Sequence, residues 1–535
     1  MPYDPAQQPN LSRKLARAQE AHARGALDKA ERFYNALLQL CPQNFEALHG
    51  LADIHYRRGR LDTALAMAQM ALQGDLGRAE GFSTLGLIFH ALRRLNEALI
   101  SYDEGLRLAP GNAELRNRRG VALLDLGRPL EALAEFDRVL AADPNHLEAL
   151  GNRGNVLIRL NRPAEAIATY DRALAVAPRN AQLLTNRAVA LRRLDRPEEA
   201  VANAVEALRH NPQFEQARFV EAVARLTLGD FTAGWRGYEA RWAVGFLAAQ
   251  RRRFAAPLWR GEEPPAGKTI LLHAEQGFGD TIQFIRYAPL VAARGARVVL
   301  EIQPELVRLF AAMPGIAAII PRGGELPPFD FHCPLLSLPL AFATELETVP
   351  AAVPYAFPDA AAVAAWRQRL PQRAPRVGVV WSGERSHDND VNRSLRLKSL
   401  LPLFELPGLV FVSLQHEVRA EDAKLLHDHP RIAELAEKFS DFADTAAVIA
   451  QLDLVISADT AVAHLTGALG KPLFLLLPFA ADFRWLRERN DSPWYPSARL
   501  FRQPRFADWD GAVSALRQKV ARTLLPVMTA RRLSA

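Results

Sequence analysis

Three short stretches in the second half of the chain set acidic, basic and small residues at spacings suited to phosphate and proton chemistry. The first is Glu275-Gln276-Gly277-Phe278-Gly279-Asp280. Gly277 and Gly279 permit a tight turn with exposed amides, and Asp280 stands at the start of a predicted helix, 281–293. There it can act simply as a helix cap, worth about 1 kcal/mol. The stretch is not a dinucleotide fingerprint, because Ile282 occupies the place of the third glycine, and it lacks the Gly-Lys-Ser/Thr ending of a P-loop. The second stretch runs from Ser382-Gly383-Glu384 through His387-Asp388-Asn389-Asp390 to Asn392-Arg393-Ser394. Arg393 carries a planar fork that matches diphosphate oxygens. Asp388 and Asp390 have a metal-ligating spacing, but isolated pairs of that kind are common in loops, and no metal is expected. The third is Ser457-Ala458-Asp459-Thr460-Ala461, followed by His464. Asp459 closes a predicted strand and Thr460 opens a helix, whose free amides and dipole favour a bound phosphate. His464 lies one turn later on the same face, either toward a ligand or orienting Asp459.

All three stretches fall where a strand should give way to a helix. From Lys268 onward, short apolar runs alternate with helical segments, the pattern of parallel sheets. The clearest strands are 269–273, 297–302, 377–381, 409–414, 452–457 and 473–477. A break rich in proline and alanine near 350–374 divides the region into two lobes, 268–358 and 359–525, with a tail at 526–535. Two such lobes bind ligands in the cleft between them, at the carboxyl ends of their strands.

The first half has a different period. From Leu11, six blocks of 34 residues run without a gap to Phe214, and a seventh begins at Glu215. The eighth position is always small (Ala18, Ala52, Gly86, Gly120, Gly154, Ala188, Ala222). Alanine recurs at the twentieth, an aromatic at the twenty-fourth and proline at the thirty-second. Small residues let the two helices of a hairpin approach, the aromatic fills the space beside them, and proline ends the second helix. One hairpin cannot bury its apolar face, so neighbours must stack into a superhelix with a concave groove. Asn117, Asn152, Asn155 and Asn186 fall on first helices of blocks four to six, where their amides suit the backbone of an extended peptide. The array is read as 11–248 after a 1–10 tail. An aromatic-rich end (Trp235, Tyr238, Trp242) leads into a linker at 249–267.

Composition narrows the classes. The chain has 535 residues, of which 49% are hydrophobic and 23% charged, ordinary for a globular protein. A net charge of +7 spread over that length does not call for nucleic acid. Cys41 and Cys333 lack ligand spacing, so neither a zinc site nor a disulfide framework is expected, and a reducing cytoplasm is the simplest home. The N-terminal residues lack the pattern of a secretory signal. The most apolar run, 472–481, is about half the roughly 20 residues a bilayer span needs.

Taken together, 275–286 (EQGFGDTIQFIR), 377–383 (VGVVWSG), 392–394, 459–471 (DTAVAHLTGALGK) and 491–503 (DSPWYPSARLFRQ) resemble the heptosyltransferase-type, family nine glycosyltransferases of the two-lobed GT-B architecture. The 34-residue blocks resemble tetratricopeptide repeats, and bacterial proteins join the two. The layout is also similar to that of eukaryotic protein O-GlcNAc transferases. The fold class so implied is an all-α tetratricopeptide superhelix followed by an α/β domain of twin Rossmann-like lobes. The resemblance implies inverting, metal-independent transfer from a nucleotide-sugar co-substrate, with no further cofactor. Asp280 matches the family's general base. Arg393, Asp459, Thr460 and Ala461 match its donor side, and Gly277, Gly279, Ser382, Gly383, Gln415 and His464 are expected to join them in binding the donor. Arg393 stands where the family often has lysine. Ala461 replaces the glycine of an Asp-Thr-Gly turn, which limits how closely the backbone approaches phosphate. The acceptor so implied is a polypeptide in the repeat groove, with a flagellin-like protein as an example. A glycan or lipopolysaccharide acceptor and a non-catalytic scaffold remain open, as does homodimerisation through exposed repeat faces.

Overall fold

The computed structural model describes residues 9–372 and 375–533. Most of the 1–10 tail, residues 373 and 374 of the expected interlobe break, and the end of the 526–535 tail lie outside the described residues. Paired helices from Pro9–Ala23 to Phe231–Tyr238 form seven hairpins at the expected period. Their packing follows from the repeating small and aromatic positions. A Cβ on Gly120 would stand 2.7 Å from Phe136, and one on Gly154 would stand 2.3 Å from Tyr170. Pro129 and Pro163 open second helices, where a missing N–H breaks no hydrogen bond.

By packing, the chain forms two compact units, Met1–Asn186 and Arg187–Ala535. The division does not fall at the composition change of 249–267. The reason lies in the second unit's core, where aromatics of the seventh hairpin are shared with the α/β half. Trp235 meets Phe284, Phe483 and Trp494 edge to face at 5.9, 5.7 and 6.5 Å, and Phe231 stacks on Trp494 at 6.2 Å. Removing that hairpin would expose the interior it completes.

Two parallel sheets follow. The first contains β1 (Thr269–His273), β2 (Arg297–Ile302), β3 (Ile316–Pro321) and β4 (Phe331–Pro334) in the order β3-β2-β1-β4. The second contains β5 (Arg376–Val380), β6 (Val410–Ser413), β7 (Ile432–Glu434), β8 (Leu454–Ala458), β9 (Leu473–Leu477) and β10 (Ala498–Arg502), ordered β10-β9-β8-β5-β6-β7. Central strands are buried on both faces, as in Leu473–Leu477. Each sheet has one point where the strand order reverses, between β1 and β4 and between β5 and β8. The three motif stretches leave β1, β5 and β8, so all three emerge beside those switch points, where α/β sheets bind ligands.

Two local expectations change. The helix expected over 281–293 begins earlier, as Phe278–Phe284, tightens into a 3-10 turn at Ile285–Tyr287 and resumes as Ala288–Ala293. Pro289 in the first turn of the last piece removes a donor that a continuous helix would need. The sequence reading also lacked β3, β4, β7 and β10. Among the described residues, no helix is long and apolar enough to cross a membrane.

Candidate functional site

The turn after β1 is held from below by buried charge. Glu275 accepts from Arg241 Nε at 2.9 Å and Nη2 at 3.0 Å, and from the Leu336 amide at 3.1 Å. Arg241 also reaches Glu239 at 2.6 Å and Ser337 Oγ at 2.8 Å. This bidentate pair fixes where the next residues point. Gly277, not Asp280, is the N-cap of helix Phe278–Phe284. Asp280 sits at its third position, and its Oδ2 accepts the Gly277 amide at 2.9 Å. Its Oδ1 pairs with Arg484, and the carboxylate remains 21% exposed. Gly279 is required by contact rather than by backbone angle. A Cβ there would stand 2.8 Å from His464 Cδ2, so only glycine lets this helix start approach the one after β8.

In the turn after β5, Gln415 braces the loop. Its Oε1 accepts the amides of Trp381 and Ser382 at 3.1 and 3.0 Å, and its Nε2 donates to the Ser382 and Glu417 carbonyls at 2.9 and 3.0 Å. With its whole amide used in this way, Gln415 positions the loop. Ser382 is buried with its Oγ unpartnered. Gly383 lies under Arg393, whose Nη2 would be 2.6 Å from any Cβ at that glycine. Asp390 is engaged by Ser394 and Arg419, while Asp388 is exposed. Among the described residues, no group of three or more His, Cys, Asp or Glu side chains is placed to hold a metal ion.

The turn after β8 completes the arrangement. Thr460 is the N-cap of helix Ala461–Ala468, and its hydroxyl lies 3.1 Å from Ser457 Oγ. Arg393 Nη1 donates to the Asp459 carbonyl at 3.1 Å, joining the second turn to the third. Burial, reinforced by the neighbouring Asp482 carboxylate, pushes the Asp459 carboxyl up to about 6. His464 does not orient Asp459. Its Nδ1 pairs with Tyr495 Oη at 2.9 Å, and its ring stacks on Trp485 at 5.3 Å. Burial pulls it down to about 3, so it is neutral in ordinary buffers.

Several residues of this site were not singled out in the sequence. Asp482 and Arg484 leave β9, pair with each other at 2.7 Å, and connect Asp280 with the surroundings of Asp459. Desolvation opposes charge on Asp482, but Arg484 outweighs it and holds the carboxyl below its usual range. Two charged residues, Asp482 and Arg484, just past the apolar run 472–481 were the available signal. Chemically, the cleft combines a carboxylate able to receive a proton with a helix N-terminus and an arginine able to receive negative charge.

The asparagines expected to offer free amides are paired in the first unit. Asn152 Nδ2 donates to Asn117 Oδ1 at 3.0 Å, and Asn117 Nδ2 donates to Glu148 at 3.2 Å. Asn155 Oδ1 accepts from Asn186 Nδ2 at 2.9 Å and from the Tyr170 hydroxyl at 2.7 Å. Stacking a 34-residue period brings equivalent positions within reach of each other, so the amides answer one another first.

With this geometry in place, comparison with known proteins defines the class. The hairpins are tetratricopeptide repeats, matched over residues 15–80, 50–113, 83–147, 117–182, 152–205 and 185–244. The α/β half carries a glycosyltransferase family 9 (heptosyltransferase) domain, matched over residues 408–477. Among individual relatives, Protein FlbA of Caulobacter vibrioides is 27% identical over 318 residues, or 55% of this chain and 53% of FlbA. The chain thus spans about half the length of the curated relative it matches. Two solved tetratricopeptide proteins are also similar. A thermophilic repeat protein of Thermus thermophilus, TTC0263, is 26% identical, with a TM-score of 0.30, covering 34% of this chain and 98% of its own. YrrB, described as having an unusual peptide-binding site, is 21% identical, with a TM-score of 0.29, covering 34% and 95%. At such scores neither likeness bears on function.

Proposed function

We propose that the chain transfers a sugar from a nucleotide-sugar donor to a hydroxyl group of a polypeptide, with inversion and without a metal. In this reading Asp280 takes the proton of the acceptor hydroxyl as its oxygen bonds to the anomeric carbon. The bond from that carbon to the diphosphate breaks on the opposite face, and the electron pair leaves with the nucleotide. A positioned carboxylate acting as general base contributes about 10²–10⁴-fold. Arg393 and the first-turn amides of helix Ala461–Ala468 meet the charge that grows on the leaving diphosphate. Arg484 keeps the Asp280 carboxylate aimed.

The observation that carries this reading is the continuous contact from base to donor turn. Asp280 pairs with Arg484, a Cβ at its neighbour Gly279 would stand 2.8 Å from His464 on the helix that Thr460 caps, and Arg393 bonds the Asp459 carbonyl. Tetratricopeptide repeats favour a protein acceptor, and the free cysteines Cys41 and Cys333 suit a cytoplasmic location. The test is transfer activity of Asp280→Asn, measured with a donor identified by thermal shift. The rate should fall by about 10²–10⁴-fold with donor affinity little changed. Full activity in that variant would overturn the proposal.

A further inference from the structure

The turn that ends the first helix of the sixth hairpin lies against the loops of the cleft. Helix Ala181–Arg193 stops at two consecutive arginines, and the chain reverses through Asp195, whose φ of 55° is left-handed. The reversal is tethered. Asp195 Oδ2 accepts from Arg487 Nε at 3.1 Å, and Glu198 accepts from Arg487 Nη1 at 2.7 Å. Arg487 follows Asp482 and Arg484 on one loop, so the tether fixes the arginine-bearing turn beside the partner of Asp280.

Within this turn, the charge that acts most strongly on Arg192 is the Asp482 carboxylate, with the Tyr238 hydroxyl also in range, whereas Arg193 feels Asp388. Both carboxylates belong to loops that carry donor-side groups: Asp482 to the loop of Arg484, and Asp388 to that of Arg393. Neither facing acid neutralises its arginine by contact. Asp482 is committed to Arg484, and Asp388 is exposed to solvent. Among the described residues, Arg192 and Arg193 make no hydrogen bond or ion pair through their side chains. Each is half-buried, and the protein around them opposes their charge, drawing Arg192 down to about 10. They remain cationic at neutral pH and have no acid in direct contact.

We infer that Arg192 and Arg193 form a phosphate-binding arm, contributed by the repeats, that closes on the diphosphate of the nucleotide donor. Two guanidinium forks on a turn tethered to the Arg484 loop can take phosphate oxygens that Arg393 and the helix start after β8 leave unmet. The inference rests on the transferase reading and adds to it: the donor site is incomplete without the sixth hairpin. It also assigns this hairpin a part in donor recognition separate from holding an acceptor.

The experiment is calorimetric titration of the full chain with UDP, CDP, GDP and ADP, comparing the parent with Arg192→Gln/Arg193→Gln and Arg192→Lys/Arg193→Lys. The glutamine pair should bind the preferred diphosphate roughly 10- to 100-fold more weakly, and the lysine pair should recover part of the loss. The unliganded melting temperature of both should match or exceed the parent's, which separates loss of binding from loss of fold. Affinity within twofold of the parent in the glutamine pair would overturn the inference and leave the transferase reading standing. So would a defect confined to the acceptor KM, which would reassign the arginines to the acceptor. If the parent itself binds none of the four nucleotides, the transferase reading fails first and the inference falls with it.

Discussion

The asparagine face of the middle repeats and the cleft of the α/β half are both rich in polar side chains, yet they satisfy them in opposite ways. Asn117 and Asn152 hydrogen-bond each other, Asn155 and Asn186 do the same, and Glu148 and Tyr170 take up further groups. In the cleft, Ser382 Oγ and the Nε atoms of Arg393, Arg419 and Arg484 are buried without a hydrogen-bond partner. A buried polar group left unmet costs about 1–3 kcal/mol. Such groups persist together where something arriving later will meet them. The asparagine face thus satisfies much of its polar surface within the repeats. In the proposed function, the acceptor oxygens of a diphosphate would meet the unpartnered groups of the cleft.

That contrast can be broken or sharpened by substitution. The largest effect is expected beneath the cleft, at Arg241→Ala. This change strands Glu275 as a buried, unpaired carboxylate, and chemical denaturation should show a loss of about 3–5 kcal/mol. A loss below about 1 kcal/mol would mean that water reaches Glu275 and that the support is not rigid. Next is Arg393→Ala, which should weaken nucleoside diphosphate binding by about 1.5–3 kcal/mol in calorimetry, because a charge-assisted contact to phosphate is lost. If affinity is unchanged, the donor lies elsewhere. On the paired face, Asn152→Ala should lower stability by about 0.5–1.5 kcal/mol without altering nucleotide affinity, since it breaks one amide bond and touches no cleft group.

The cleft side of the contrast also carries a dependence on pH. The Asp459 carboxyl is held up at about 6 in the folded chain by burial and by Asp482. An unfolded aspartate titrates near 3.9, so the folded chain alone holds this proton between the two values. Stability from this group is therefore present at low pH and lost as pH rises through about 6. Asp459→Asn should accordingly be more stable than the parent above that pH and lose the difference in acid. Its nucleotide affinity should also fall less than the parent's as pH rises, because the parent gains a negative charge beside the phosphates. Parallel profiles would place the titration elsewhere.

Much of this architecture was legible in the sequence, for identifiable reasons. The repeats declare themselves because small and aromatic positions must recur for each hairpin to close. β1, β2 and β9 were bounded correctly, since each is built on an apolar run, 270–272, 298–300 and 473–477. β3 mixes half-buried and exposed positions, and β7 has only three residues, so neither stands out from a loop. The three motif turns were visible as small and charged residues at strand ends. Their partners were not. Arg241 meets Glu275, Arg484 meets Asp280 and Arg192 nears Asp482 only through tertiary packing, and no spacing along the chain announces it. The pairing of the asparagines with one another was hidden for the same reason, because Asn117 and Asn152, like Asn155 and Asn186, lie in neighbouring repeats.

Hydrogen exchange of the full chain with and without its preferred nucleoside diphosphate tests the convergence of the three turns most directly. Amides of 277–280, 382–383 and 459–464 should slow together when the nucleotide is added, while peptides carrying Asn117, Asn152 and Asn155 keep their rates. Protection confined to one turn, or appearing on the asparagine face with the cleft unchanged, would contradict a donor site built from all three.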